Sequence, residues 1–158
     1  MTRIRPFHEL KFPVSAAQHA VLQNLVQGLA LPDKNGCNGC YEVFSQYYDS
    51  HDLRFFREKV NGEYIKTKVR LRLYRDEKRR EWHSPGLEVK QRRGSLVTKF
   101  RLDLESAQVK NCFGASSPDI RDLILTNCHE NCIRDALANI QLIPVVSLYY
   151  MRTAWQFC

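Results

Sequence analysis

Lys66, Lys68, Arg70 and Arg72 stand two residues apart in the segment Lys66-Thr-Lys-Val-Arg-Leu-Arg-Leu-Tyr74. Side chains at that spacing leave one face of a β-strand. Thr67, Val69, Leu71 and Leu73 fall on the other face. The same division recurs along the chain. Glu88 and Lys90 oppose Leu87 and Val89; Lys99, Arg101 and Asp103 oppose Thr98, Phe100 and Leu102; Glu9 and Lys11 oppose Leu10 and Phe12. Arg152 shares a face with Tyr150 and Ala154. Cations in such rows suit a linear polyanion, because arginine forks pair with phosphate oxygens two at a time and lysines add point charges.

Three arrangements would satisfy this pattern. A flat sheet could leave the charged face in water. Strands could instead curl so that the charged faces line a barrel lumen, which needs a polyanion and metal ions to fill it, since buried unpaired charges are destabilising. A basic sheet could also bind nucleic acid, but these rows lack the interleaved aromatic residues on which bases stack.

The elements that must position the rows follow from local signals. Phe7–Val14 reads as a first strand, and Ser15 with Gln18 forms a capping box opening a helix through Leu29. A loop at 32–40 leads to a β-prone run, Tyr41–Tyr48, and the polar segment Asp49–Lys59 reads as a short helix or turn. Asn61-Gly62 is a hairpin signal. Strands are expected at Lys66–Tyr74, Leu87–Gln91 and Leu96–Leu104, with a charged loop at Arg75–Glu81. Ser117-Pro118-Asp119 opens a helix, a second spans Glu130–Ile140, and Val145–Phe157 is a last strand. The order is that of an α+β domain dominated by adjacent antiparallel strands.

At 158 residues the chain is the size of one domain, 1–158, with no internal repeat or linker. Apolar residues make up 44% and charged residues 26%, which excludes a disordered polar chain. The net charge of +7 favours an anionic partner. Apolar runs such as Leu142–Tyr149 are too short for a membrane span, and no secretory h-region follows the basic start, so a cytoplasmic location is expected. Cys37 and Cys40 have zinc-knuckle spacing, which Cys128, His129 and Cys132 could complete; a turn pair and two helix cysteines is the simpler reading. Asp49 and Asp52 could bind metal or, more simply, cap the helix that follows. Tyr47, Tyr48 and Trp155 read as core or wall aromatics, His8 as a packing residue and His19 as a surface one.

An ordered set of segments carries a family resemblance: Glu9-Leu-Lys-Phe-Pro-Val14, Ser45-Gln-Tyr-Tyr-Asp49, Asp52–Lys59 with Asn61-Gly62, Lys68–Tyr74, Leu87–Lys90, Lys99–Arg101, and Leu142–Val145 leading to Tyr150–Trp155. Together they resemble the VTC domain, the polyphosphate polymerase module of the triphosphate tunnel metalloenzymes, over nearly the whole chain. The resemblance implies an antiparallel β-barrel, the triphosphate tunnel, with flanking helices. It implies that Lys11, Arg70, Arg72, Lys90, Lys99 and Arg152, with Arg101 as an addition, grip phosphate, and that ATP and polyphosphate are the partners. It further implies a divalent metal, manganese or magnesium, for which Glu9 and Glu88 are the candidate ligands, and transfer of the terminal phosphoryl group of ATP to polyphosphate.

Two departures from the family pattern shape the expectation. The tunnel has eight strands and about six are read here, so the barrel is expected to be incomplete, lacking its last strands, and the open strand to be an edge for pairing with another chain. The superfamily's first strand has Glu-x-Glu-x-Lys, and the first glutamate position is Phe7 here. The expected activity is therefore that of a polyphosphate polymerase-like domain that binds polyanions but is weak or inactive as a polymerase unless another chain completes it; a non-catalytic polyphosphate-binding remnant and an inorganic triphosphatase remain as alternatives.

Overall fold

The computed structural model describes residues 10–33, 37–76, 81–105, 109 and 120–157. Among these residues the elements are α1 (Ala16–Gln27), β1 (Leu31–Pro32), β2 (Cys40–Asp49), α2 (Arg54–Val60), β3 (Ile65–Arg75), β4 (His83–Arg93), β5 (Leu96–Asp103), α3 (Ile120–Asn127), α4 (Asn131–Leu137), β6 (Ile143–Thr153) and β7 (Trp155–Gln156). The α+β class holds. Five long strands form one antiparallel sheet in the order β5-β4-β3-β2-β6, and β1 pairs with β7 beside it.

Strand alternation sorts the two faces of this sheet as its sequence requires. Val69, Leu71 and Leu73 of β3 join Leu87 and Val89 of β4 on the apolar face. They pack on Phe55 of α2, Ile120 and Ile124 of α3, and Ile133 and Leu137 of α4, with Tyr48, Cys128 and Ile140 in the same core. A polar bond reinforces the contact: Gln91 Nε2 donates to the Cys132 carbonyl at 2.9 Å.

Asp49 governs the entry into α2. Its Oδ1 accepts from the Ser50 and Phe55 amides at 2.8 and 2.9 Å, and its Oδ2 from the Phe56 amide at 2.9 Å. Ser50 Oγ accepts from the Arg54 amide and donates to Asp52. Asp49 and Ser50 thus serve the capping role, satisfying amides that have no partner inside the helix, while Asp52 accepts from the Ser50 hydroxyl and the Arg57 guanidinium instead. The capping box of Ser15 and Gln18 forms as well, at 2.8 and 3.3 Å.

Three expectations need correction. Residues 10–14 form no strand, and Leu10 and Phe12 are exposed; the alternation there has no neighbouring strand to pair with among the described residues. Asn61-Gly62 is not a hairpin turn. Asn61 is the C-cap of α2, and Gly62 takes φ of 72°, the left-handed conformation common just past a helix end. The last strand breaks at Ala154, whose amide and carbonyl bond to Gly39 and Asp33 instead. The open sheet, with β5 and β6 as its two edges, is compatible with the expected incomplete barrel; the described strands close no tunnel. The strand at Phe7–Glu9, the loop at 77–80 and the helix start at 117–119 lie outside the described residues.

The side chains of β6 and α1 are largely uncovered. Val145, Val146, Leu148, Tyr149, Tyr150 and Met151 of β6 are exposed, and α1 has no buried residue. No helix among the described residues is long and apolar enough to cross a membrane.

Candidate functional site

Strand register converts the separate basic rows into one charged face. Lys68 of β3 lies directly opposite Lys90 of β4, and Lys90 opposite Lys99 of β5. The next row along the strands reads Arg101, Glu88, Arg70 and Tyr47, and the one after it Asp103, Gly86, Arg72 and Ser45. Past these, Tyr74 and Tyr41 occupy the same face, with Arg152 of β6 opposite Tyr41.

The three-lysine row is electrostatically unfavourable by itself, since like charges directly opposite on neighbouring strands repel. No carboxylate among the described residues pairs with Lys68 or Lys90. Two more lysines press on Lys68: Lys59 from the last turn of α2, and Lys11 from the segment before α1. Desolvation, then Lys59, Lys90 and Lys11, pull the Lys68 ammonium below the usual lysine range. Positive charge is thus concentrated around Lys68.

The arginine row is built differently. Arg70 Nε and Nη2 both reach Glu88 Oε2, at 2.8 and 2.6 Å, and Nη1 donates to the Tyr47 hydroxyl at 3.2 Å. Arg101 takes the other carboxylate oxygen, Oε1, at 2.6 Å, and also binds Asp103 at 2.7 Å. Glu88 is only 18% exposed. Burial pushes its carboxyl up, but Arg70 foremost, then Arg72 and Arg101, outweigh burial and hold it below the usual glutamate range. Arg72 differs from its neighbours in having neutral partners, Ser45 Oγ at 3.5 Å and the Tyr150 hydroxyl at 3.4 Å. Its guanidinium forms no ion pair among the described residues.

Gly86 makes room for this arrangement, because the Arg101 guanidinium occupies the space that a Cβ would need. Ser84 adopts φ of 49°, an uncommon left-handed backbone for serine, and its carbonyl accepts from Arg101 Nη2 at 3.1 Å. Beyond Arg101 the face opens into a cleft of about 630 Å³ that includes Tyr41, Tyr74, Pro85, Leu104 and Arg152. Tyr41 and Tyr74 meet edge to face at 5.7 Å, and the Arg152 guanidinium sits 5.8 Å from the Tyr41 ring centre.

The residues singled out from sequence divide clearly. Arg70, Arg72, Lys90, Lys99 and Arg101 come together on one face, with Arg152 at its cleft end and Lys11 beside the lysine end. Glu9 lies outside the described residues. Glu88 does not fit a metal-ligand role in this arrangement, since each of its oxygens is bonded to a guanidinium. Among the described residues no three His, Cys, Asp or Glu side chains cluster as a metal site, which covers the Cys37/Cys40 and Cys128/Cys132 pairs.

Sequence reasoning missed three features. Lys68 belongs with the candidate residues, although its strand alternation was visible. Lys59 arrives from a helix, and nothing in the sequence marks it. The charged face does hold aromatic residues, Tyr41, Tyr47, Tyr74 and Tyr150, which come from three strands and converge only through register.

A family model, the VTC domain, matches residues 6–158, essentially the whole chain. No curated protein gives a significant match.

Proposed function

The chain belongs to the VTC domain family, and we propose that its charged face binds a linear phosphate chain, in the form of polyphosphate or the triphosphate of ATP. The observation that carries this reading is the opposed row Lys68, Lys90, Lys99. A row of that kind is unfavourable without a ligand and becomes favourable when phosphate oxygens lie between the ammonium groups. Arg72, next along the face, offers a guanidinium with neutral partners only, and a two-oxygen phosphate contact is the stronger bond open to it.

The reaction that suits this face is phosphoryl transfer from ATP to polyphosphate, the family's polymerase chemistry. Such transfer needs in-line positioning and neutralisation of charge on the equatorial oxygens more than a protein nucleophile. Arg70 and Arg72 on β3, and Lys90 and Lys99 on the two strands beside it, supply the positive wall. Glu88 acts as an internal counter-ion that keeps Arg70 and Arg101 extended across the sheet before phosphate arrives. A divalent manganese or magnesium ion would be held mainly by the phosphates, whose negative charge it would help to neutralise. The family's tunnel would require the edges of the described sheet to be covered.

Incubation with ATP and manganese, with products resolved on a gel, tests the reaction. Long phosphate ladders support the polymerase and released orthophosphate a triphosphatase. Binding of polyphosphate with neither product leaves a carrier, and failure to bind polyphosphate at low salt overturns the reading altogether.

A further inference from the structure

Cys37-Asn-Gly-Cys40 takes no part in the charged face, yet it is held in a definite shape. Asn38 and Gly39 adopt positive φ, 52° and 74°, the pairing that a tight two-residue hairpin turn requires and that Asn-Gly supplies most readily. The Cys40 amide donates to the Cys37 carbonyl at 2.9 Å, and the two cysteines face each other as an antiparallel pair. Opposed residues that exchange backbone hydrogen bonds have Cα atoms about 5.5 Å apart and side chains on the same face. That separation is the usual one for a disulfide. Both cysteines are half-buried free thiols, close enough to join and open enough to be reached from solvent.

The turn is also wedged into its surroundings. A Cβ on Gly39 would lie 2.6 Å from the Ala154 carbonyl oxygen and 3.0 Å from the Pro32 Cβ. The Gly39 carbonyl accepts from the Ala154 amide, and the Ala154 carbonyl from the Asp33 amide, each at 2.9 Å. The turn thus holds the junction at which β6 ends and β7 pairs with β1. Cys128 offers the contrast. It is 1% exposed and burial pushes its thiol up, and both make it a poor nucleophile.

We infer that Cys37 and Cys40 form a reversible dithiol–disulfide couple that exchanges with small-molecule disulfides and, when oxidised, stiffens the junction at Ala154. One cysteine thiolate attacks a sulfur of the small disulfide. A mixed disulfide forms, and a small thiolate leaves and takes up the proton that the cysteine lost. The second cysteine thiolate then attacks the protein sulfur of the mixed disulfide. The bond between Cys37 and Cys40 forms, and the second small thiol departs with the second proton. The cysteine pair has lost two electrons and the small disulfide has gained them. The closed ring spans only four residues, so it removes little entropy from the unfolded chain and gives the disulfide little advantage over the dithiol. Such a couple follows the redox poise of its surroundings.

Equilibration of the full chain in glutathione buffers, followed by acid quenching, alkylation and peptide mass mapping, tests the assignment. The ratio of disulfide to dithiol should rise in proportion to oxidised glutathione and fall as the square of reduced glutathione. A tenfold rise in reduced glutathione therefore lowers it about a hundredfold. Cys40→Ser should leave Cys37 carrying one glutathione, with only a first-power dependence. The Ala154 amide should exchange its hydrogen more slowly in the oxidised wild-type chain than in the reduced one. A first-power dependence in the wild-type chain, or thiols unmodified in oxidised glutathione alone, overturns the couple. Cys128 reacting as readily as the pair also overturns it, because oxidation would then belong to the unfolded chain. Equal exchange at Ala154 in both states overturns the coupling to the junction.

Discussion

The two ends of the charged face solve the problem of concentrated positive charge in opposite ways. At one end, Lys68, Lys90 and Lys99 oppose one another across three strands, with Lys59 and Lys11 pressing on Lys68. Toward the other, Arg70 and Arg101 share the half-buried carboxylate of Glu88, and Asp103 takes a further bond from Arg101. The arginine end is self-neutralised and geometrically fixed before any ligand binds. At the lysine end, Lys68 and Lys90 repel each other across neighbouring strands, a repulsion that a bound anion would relieve. A phosphate chain would therefore be oriented by the first and drawn in by the second.

Substitutions that separate these roles sharpen the contrast. Arg70→Ala with Arg72→Ala removes the oriented contacts, and charge-assisted bonds of about 1.5–3 kcal/mol each imply a loss of about a hundredfold or more in polyphosphate affinity, read by calorimetry. Affinity within tenfold of wild type would show that the lysines alone hold the chain.

Glu88→Gln attacks the internal counter-ion and should lower stability at neutral pH by about 2 kcal/mol, because it leaves two partly buried guanidiniums without their shared anion. Its pH dependence has a definite sign. The Glu88 carboxyl titrates lower in the folded chain than in the unfolded one. Its contribution is therefore complete above the ordinary glutamate range and is lost as pH falls through the folded value. Urea unfolding at pH 7 and pH 3 should show a wild-type advantage that shrinks on acidification. An equal gap at both values contradicts the role.

Lys68→Met with Lys90→Met should act in the opposite sense at the other end. Affinity for polyphosphate should fall about tenfold and its salt dependence should flatten, since fewer counter-ions are released. The free protein should gain about 0.5–1 kcal/mol as the cross-strand repulsion disappears. A loss of both stability and affinity would show the row to be structural.

The division between what sequence revealed and what it hid follows from the range of the interactions. The two faces of β3 were legible because strand geometry alone sorts Lys68, Arg70 and Arg72 from Val69, Leu71 and Leu73. The capping roles of Ser15 and Asp49 were legible for the same local reason. Register was not, and register is what sets Lys68 against Lys90 and Lys99 rather than against a carboxylate. The tyrosines of the cleft come from β2 and β3 and become neighbours only once those strands pair. Asn61-Gly62 misled because a glycine with positive φ serves a helix end as well as a hairpin. At residues 10–14 the alternation was present, but a strand also needs a partner.

The most direct test of the account is the titration of the Lys68 ammonium, followed by NMR of its Nζ or Cε signals in the free chain and with saturating polyphosphate. In the free chain the group should titrate below the usual lysine range, depressed by desolvation and its lysine neighbours. With polyphosphate bound it should move up, with accompanying shifts at Lys90 and Lys99. An ammonium whose titration is unchanged at saturation would place the phosphate chain elsewhere on the protein and contradict the account.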